Sequence, residues 1–439
     1  MKLRSGRERT GGFQLLRIVL ICLFAWACAT AQPAAAPVSN SSTDRSVDAL
    51  LQKIQQLEAA QKQMQERLDK VTGTAALVPS TPVPVVAPAP PPPEPVVEES
   101  ASSDSNDGLH TLGPVVFRGY SDFNYGRAWF EKMPPGGLGG SPRSFGIGDF
   151  DLFTNTQISP HWSILGELLV TSDFSNTFGA ELDRLLFTYK QNDYFKISFG
   201  KFSTGLGYYS NAFHRAQYFQ TGIGRPLMYS DEDNGGILPT HSVGVTATGK
   251  IPSGALGLHW LAEVANGRAT GDVPLQNFVD QNNGKAVNFQ IYARPESIRG
   301  FQTGFSVYRD RLYPEAGEQI QQTILTAHVV YSGSKLEWLN EGSMVRHQMH
   351  DGGHVFNSTT GYSQLGWAVG KTRPYVRFDY LNAPGSDPIY GSIGRRSGSS
   401  FGVNRHISNY VVLKVQYGRL NDRHAPSAYG LTGQLAFAF

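Results

Sequence analysis

The chain has 439 residues, of which 17% are charged, and its 38 Lys and Arg nearly balance 36 Asp and Glu to leave a net charge of +2. That balance excludes a nucleic-acid binder, which needs a basic surplus to displace counterions. Both cysteines, Cys22 and Cys28, lie near the N-terminus, so the rest of the chain holds no disulfide, thiolate nucleophile or Cys-ligated zinc. A mean hydropathy of −0.27 excludes a bundle of membrane-spanning helices, but not a membrane β-barrel, whose strands alternate apolar and polar residues.

Arg4, Arg7, Arg9 and Arg17 precede an apolar run from Ile18 to Ala27, and Ala29-Thr30-Ala31 follows. Basic, apolar and small-residue regions in that order predict a secretory signal peptide over residues 1–31. A retained anchor is the weaker alternative, because a membrane helix needs about 20 apolar residues. Lipidation at Cys28 is disfavoured by Ala25, where a lipobox usually carries Leu.

From Val47 onward, Leu50, Ile54, Leu57, Met64, Leu68 and Val71 recur at steps of three and four, with Gln61 the polar break. This heptad seam predicts a coiled-coil helix over 44–71, in a dimer or a trimer. Residues 72–108 follow as a linker. Its Pro82–Pro95 stretch should adopt polyproline II, and the acidic, Ser-rich Glu98–Asp107 should remain disordered.

From Leu109 to Phe439 the apolar period becomes two. Phe195, Ile197 and Phe199 oppose Lys196, Ser198 and Gly200, and Val411, Leu413 and Val415 oppose Val412, Lys414 and Gln416. About 16 strands are predicted, joined alternately by short turns and long loops. Short turns on one rim, long loops on the other and an even strand number predict an all-β, transmembrane antiparallel barrel over 109–439. Lipid enforces closure, because no sheet edge can stay unpaired there. Sixteen strands would enclose a water-filled lumen, and aromatics such as Trp162, Tyr189, Trp260, Trp338, Trp367 and Tyr375 would form interfacial girdles.

The terminal Phe439 behind Phe437, Leu435 and Leu431 resembles the C-terminal signal read by the barrel-assembly machinery of bacterial outer membranes. Phe199-Gly-Lys-Phe-Ser-Thr-Gly-Leu-Gly207 and Ile237-Leu-Pro-Thr-His-Ser-Val-Gly-Val245 resemble the middle of porins of the phosphate-selective O/P-like superfamily. The resemblance implies a passive, homotrimeric diffusion channel for small hydrophilic solutes or ions, in contact with outer-membrane lipid, with its N-terminal extension in the periplasm. No regular arginine ladder carries phosphate selectivity over.

In 16-strand porins the third long loop narrows the channel, so the resemblance makes 202–240 the expected constriction, with His214, Arg215 and Arg225 beside Asp231, Glu232 and Asp233. On the strands, alternation turns Asp149, Asp151, Glu167, Arg184, Lys196, Glu263, Arg294, Glu337, Arg377, Asp379 and Lys414 toward the lumen, most of them as hydrated wall. A lipid-facing Arg or Lys at the midplane would cost about 2–4 kcal/mol. With 28 basic and 25 acidic residues from Leu109 onward, weak ion selectivity is expected.

His347, His350, Asp351 and His354 crowd one predicted loop, but their spacing fits no firm metal template. Gly366–Thr372 imitates a phosphate loop and is one residue short. No catalytic group, metal site or cofactor is expected. The rival readings are a structural barrel that tethers outer membrane to cell wall through the coiled coil, and an outer-membrane hydrolase.

Overall fold

A computed structural model describes residues 115–130, 144–172, 177–214, 216–230, 236–268, 284–314, 319–350 and 353–439. The signal peptide, coiled coil and linker expected over 1–31, 44–71 and 72–108 lie outside the described residues, as do Arg215, Asp231, Glu232, Asp233 and Asp351.

Sixteen strands form the wall. In chain order they are β1 (Val116–Phe130), β2 (Ser144–Gln157), β3 (Trp162–Ser172), β4 (Phe178–Lys190), β5 (Lys196–Ser203), β6 (His241–Ile251), β7 (Leu258–Asn266) and β8 (Lys285–Ala293). The second half comprises β9 (Phe301–Leu312), β10 (Ile320–Ser332), β11 (Leu336–Met349), β12 (Val355–Trp367), β13 (Thr372–Asn382), β14 (Arg395–His406), β15 (Val411–Asp422) and β16 (Ala428–Ala438). Each pairs antiparallel with its chain neighbours, and β1 pairs with β16 to close the barrel. Gly119 and Phe439 complete the seam by exchanging backbone hydrogen bonds of 2.8 and 3.0 Å. Every strand edge is thereby paired, as a lipid-embedded sheet requires.

Alternation sorts the two faces. In β8 the even residues Ala286, Asn288 and Gln290 are buried inside, while Val287, Phe289 and Ile291 are exposed outside. In β11 Glu337, Glu341, Ser343 and His347 point inward, opposite Trp338 and Met344. The outward register row Phe301–Tyr331–Trp338–Leu365 runs beside the short turns. Trp162 and Tyr189, with ring centroids 5.1 Å apart, extend this aromatic belt. Tyr375 does not belong to it: the ring is buried inside the barrel and donates to Gln416 Oε1 at 2.6 Å.

Two irregularities re-aim side chains, as bulges do. Between Ser121 and Phe123 the β1–β2 register skips, so Gly148 and Asp149 both fall opposite Asp122. Between β3 and β4, Glu167 pairs with Arg184 but Leu168 pairs with Leu182. Asp183 is the extra residue, and it is wholly buried. Counting alternately from Arg184 would have turned Asp183 outward.

The interior is not uniformly wet. Leu206, Tyr209, Met228, Tyr229, Ile237 and Leu238 from the connection between β5 and β6 pack against Tyr308, Ile324, Val330, Leu339 and Tyr362 of the inner wall. Ile389, Tyr390 and Ile393, between β13 and β14, join the same cluster. The expectation of a water-filled lumen without a packed side-chain core is therefore corrected, because this cluster packs apolar side chains inside the wall. Polar inward residues that keep solvent contact, among them Arg118, Asn124, Arg184, Lys196 and Thr246, lie on β1, β4, β5 and β6.

Candidate functional site

The connection from 204 to 240 is the third long loop, and it folds into the barrel. Irregular backbone inside a membrane barrel must find hydrogen-bond partners in the protein or in trapped water. Here the charged wall residues supply them. Glu263 accepts from the backbone of Gly205 at 3.0 and 3.1 Å, and Asn288 donates to the same carboxylate at 2.8 Å. Glu341 accepts the N–H groups of Tyr208 and Tyr209 at 2.5 and 2.9 Å. It also accepts the hydroxyls of Tyr229 and Tyr362 at 2.8 and 2.6 Å.

A short helix, α1 (Tyr209–Phe213), follows, and its first ring stacks on Tyr229 with centroids 5.8 Å apart. Burial, reinforced by the Glu341 carboxylate, pushes the Tyr229 hydroxyl well above its ordinary pKa, so it remains a donor. The loop next reaches the opposite rim, where Tyr218 donates to the carbonyl of Asn409 in the turn between β14 and β15. On the way back, Thr221 donates to Glu337 at 3.0 Å and the Ile223 N–H to Gln416 at 3.0 Å. Arg377 donates to the Gly224 carbonyl at 2.9 Å, and Asp379 accepts the Leu227 N–H at 3.0 Å.

Several charged side chains of the inner wall bond to the loop or to one another. The Lys414 ammonium donates to the carbonyls of Gln217 and Gly222, the latter at 3.2 Å, and is fully buried. Arg377 and Asp379 pair with each other at 3.0 Å while gripping the loop. Glu167 pairs with Arg184, and Asp151 is buried beside them. Arg294 donates to Gln302 at 2.6 Å. Lys196 sits exposed at the short-turn end of β5, and Asp149 occupies the β2 bulge, half-buried.

Of the expected constriction residues within the described chain, Arg225 is half-buried and donates to Ser210 Oγ at 3.3 Å. His214 is nearly buried and turned to the wall, with Nε2 2.8 Å from Asp183 and 3.2 Å from Glu167. Between the loop tip and the short-turn rim lies a cavity of about 270 Å³ lined by Tyr218, Phe219, Lys371, Arg373, Asn404 and His406.

His347 is not a loop residue. It belongs to β11 and is wholly buried, with Nδ1 2.9 Å from Asp387 and Nε2 2.7 Å from Gln322. Ser358 completes a Ser/His/Asp grouping but donates to Asp387 at 3.4 Å. Since His347 Nε2 is spent on Gln322, the arrangement lacks the nucleophile–base contact that a hydrolase triad needs. Glu341, Asp183, Asp387 and His241 were not singled out in the sequence. Glu341 carried a signal, because it shares the inward phase of Glu337 four residues earlier.

No family profile matches the sequence, and no curated protein matches it either. Solved structures do share the barrel. An anion-selective porin from Comamonas acidovorans superposes with a TM-score of 0.53 at 12% identity, over 74% of this chain and 99% of that one. The outer membrane channel DcaP of Acinetobacter baumannii gives 0.52 at 11% identity, over 74% and 97%. OmpT of Vibrio cholerae, an outer membrane protein solved in a trimer form, gives 0.50 at 10% identity, over 74% and 99%. At these identities the likeness establishes a common 16-strand barrel fold.

Proposed function

We propose that this protein is a porin of the bacterial outer membrane, a passive channel for small hydrophilic solutes or ions. One observation carries the reading: a closed barrel with an apolar, aromatic-belted exterior encloses an inward loop held by buried charges. A hydrated path between that loop and the β1–β6 wall would sort solutes by size and charge. The constriction would be formed by the loop residues His214, Arg215, Arg225, Asp231, Glu232 and Asp233, with His214 acting from the wall side. Of the solved structures, the Comamonas and Acinetobacter proteins named above support the channel class.

Finer assignments belong to the same proposal. The protein would join the phosphate-selective O/P-like superfamily, enter the membrane through recognition of Phe439 by the barrel-assembly machinery, and form a homotrimer through its barrel walls. The helix over 44–71 would assemble protomers in the periplasm. Deleting residues 45–71 should then lower oligomer order in detergent, and an unchanged mass would refute that part.

Reconstitution into planar bilayers tests the channel. Stepwise conductance that falls as sugars of increasing size are added supports it. A folded, inserted protein with no conductance steps would favour the structural barrel instead, a reading to which the apolar cluster inside the wall lends some weight.

A further inference from the structure

At the top of β5 and β6, three side chains from separate parts of the chain aim one ligand atom each at a common point. Asp183, His214 and His241 present carboxylate and imidazole atoms that all lie within 4.8 Å of one another. Glu167 lies beside them, its Oε2 3.2 Å from His214 Nε2, but that oxygen already accepts from Arg184 Nε and is not counted as a ligand. We propose that Asp183, His214 and His241 bind one divalent transition-metal ion of the zinc class, which clips the third long loop to the barrel wall. Its occupancy does not depend on whether the barrel conducts.

The donor set suits such an ion, because two imidazole nitrogens and a carboxylate make a borderline-soft N/O site of three protein ligands. The spacing suits it too. Metal–ligand bonds of about 2.0–2.1 Å in a tetrahedron separate ligand atoms by about 3.3 Å. The observed separations are 2.8 Å from His214 Nε2 to Asp183 Oδ2 and 3.5 Å from His241 Nε2 to Asp183 Oδ1, with all three ligand atoms within 4.8 Å of one another. The two imidazoles stand edge to face, with centroids 5.5 Å apart and planes at 90°. The Asp183 carboxylate faces both imidazole nitrogens, one oxygen to each, an arrangement that a dication between them would satisfy.

The backbone delivers these ligands at some cost. Asp183 exists on the inner wall only because of the bulge in β4, and His214 holds a left-handed φ of 45°. Among the described residues it is the only non-glycine with a positive φ, a conformation that persists only where its surroundings enforce it. His241 opens β6, where the loop rejoins the wall. His214 Nδ1 lies 3.1 Å from Ser203 Oγ, an outer contact of the kind that orients metal-bound imidazoles. Asp183 is wholly enclosed and His241 nearly so, which leaves no room for a substrate and makes the ion structural.

The test uses the full-length protein in detergent, stripped with chelator and titrated with Co²⁺ as a visible-absorbing probe and with Zn²⁺ by calorimetry. One ion per chain is expected, with Co²⁺ bands abolished by Zn²⁺. His241→Gln and Asp183→Asn should each weaken binding more than about a hundredfold, beyond the loss typical of an outer-shell partner. Ser203→Ala, which removes no ligand, should weaken it about tenfold. A His350→Ala/His354→Ala variant should bind as the parent does. Heat-modifiable migration in gels confirms that each variant is folded, and Ser203→Ala decides the matter if the ligand variants are not. Absence of stoichiometric Co²⁺ binding by the parent would overturn the proposal. Full binding by His214→Gln/His241→Gln would overturn it as well.

Discussion

The carboxylate of Glu341 accepts the backbone N–H of Tyr209 at 2.9 Å, although 132 residues separate the two in sequence. With the Tyr208 N–H and the Tyr229 and Tyr362 hydroxyls it makes four contacts, so one buried side chain ties two stretches of the inward loop to the wall. Glu341→Gln replaces an acceptor oxygen by a donor and leaves buried donors facing it. Each unsatisfied group costs about 1–3 kcal/mol. The variant should insert as a barrel but show faster hydrogen exchange at the Tyr208 and Tyr209 amides, and noisier single-channel current. Unchanged exchange would show that the apolar cluster alone holds the loop.

Gly207 sits between Leu206 and Tyr208 with φ of 68°, the left-handed turn that swings the chain from the wall into the lumen. A Cβ there would collide with the Tyr229 hydroxyl and the Glu341 carboxylate. Gly207→Ala thus combines backbone strain with a steric clash. It should destabilise the barrel by about 1–3 kcal/mol, read as a lower urea midpoint, whereas Gly370→Ala, strained in φ but with open space around its Cβ, should cost less.

The strands were legible in the sequence because lipid outside and water or polar chain inside impose a strict period of two, and Phe199, Leu413 and their like keep it. The anchors were less legible. Lys414 and Arg377 bond to Gln217, Gly222 and Gly224, more than a hundred residues away, which no local pattern encodes. His347 looks like a loop residue in sequence because β11 runs on to Met349, past the last strongly alternating apolar positions. Asp183 was hidden for a different reason. A bulge shifts the phase by one residue, and only the paired strand reveals where.

Asp387 lies in the connection between β13 and β14. Burial acts to raise its pKa, but the hydrogen bond and charge of His347, with the N–H groups of Ile389 and Tyr390, outweigh burial and hold it below the ordinary carboxylate value. A carboxyl depressed in the folded state contributes stability that is present above its unfolded pKa of about 3.9. That contribution is lost as pH falls through the lower folded value. The loop over 383–394 should therefore detach in strong acid, seen as acid-induced proteolytic sensitivity of this segment. Asp387→Asn should remove that acid limb and leave the segment equally sensitive at pH 7 and below.

Phe439 closes the cylinder. Its N–H and carbonyl exchange hydrogen bonds with Gly119 at 3.0 and 2.8 Å, and its ring stacks on Phe150 with centroids 5.9 Å apart. Truncating this residue removes two ladder bonds at the seam, where β1 and β16 must meet across the whole length of the domain. Each bond contributes about 0.5–1.5 kcal/mol, too little to unfold a wall of sixteen strands once it has formed. Closure is the last and least local pairing, however, and loop-closure entropy must be overcome before it returns any contact energy. Deletion of Phe439 should slow refolding into detergent while leaving the unfolding rate within about threefold of the parent, a pattern that places the residue in the rate-limiting step. Phe439→Ala, which retains the backbone bonds and loses the stack, should fall between the two. Equal folding rates for all three proteins would mean that closure is fast and that the residue matters only for recognition during assembly.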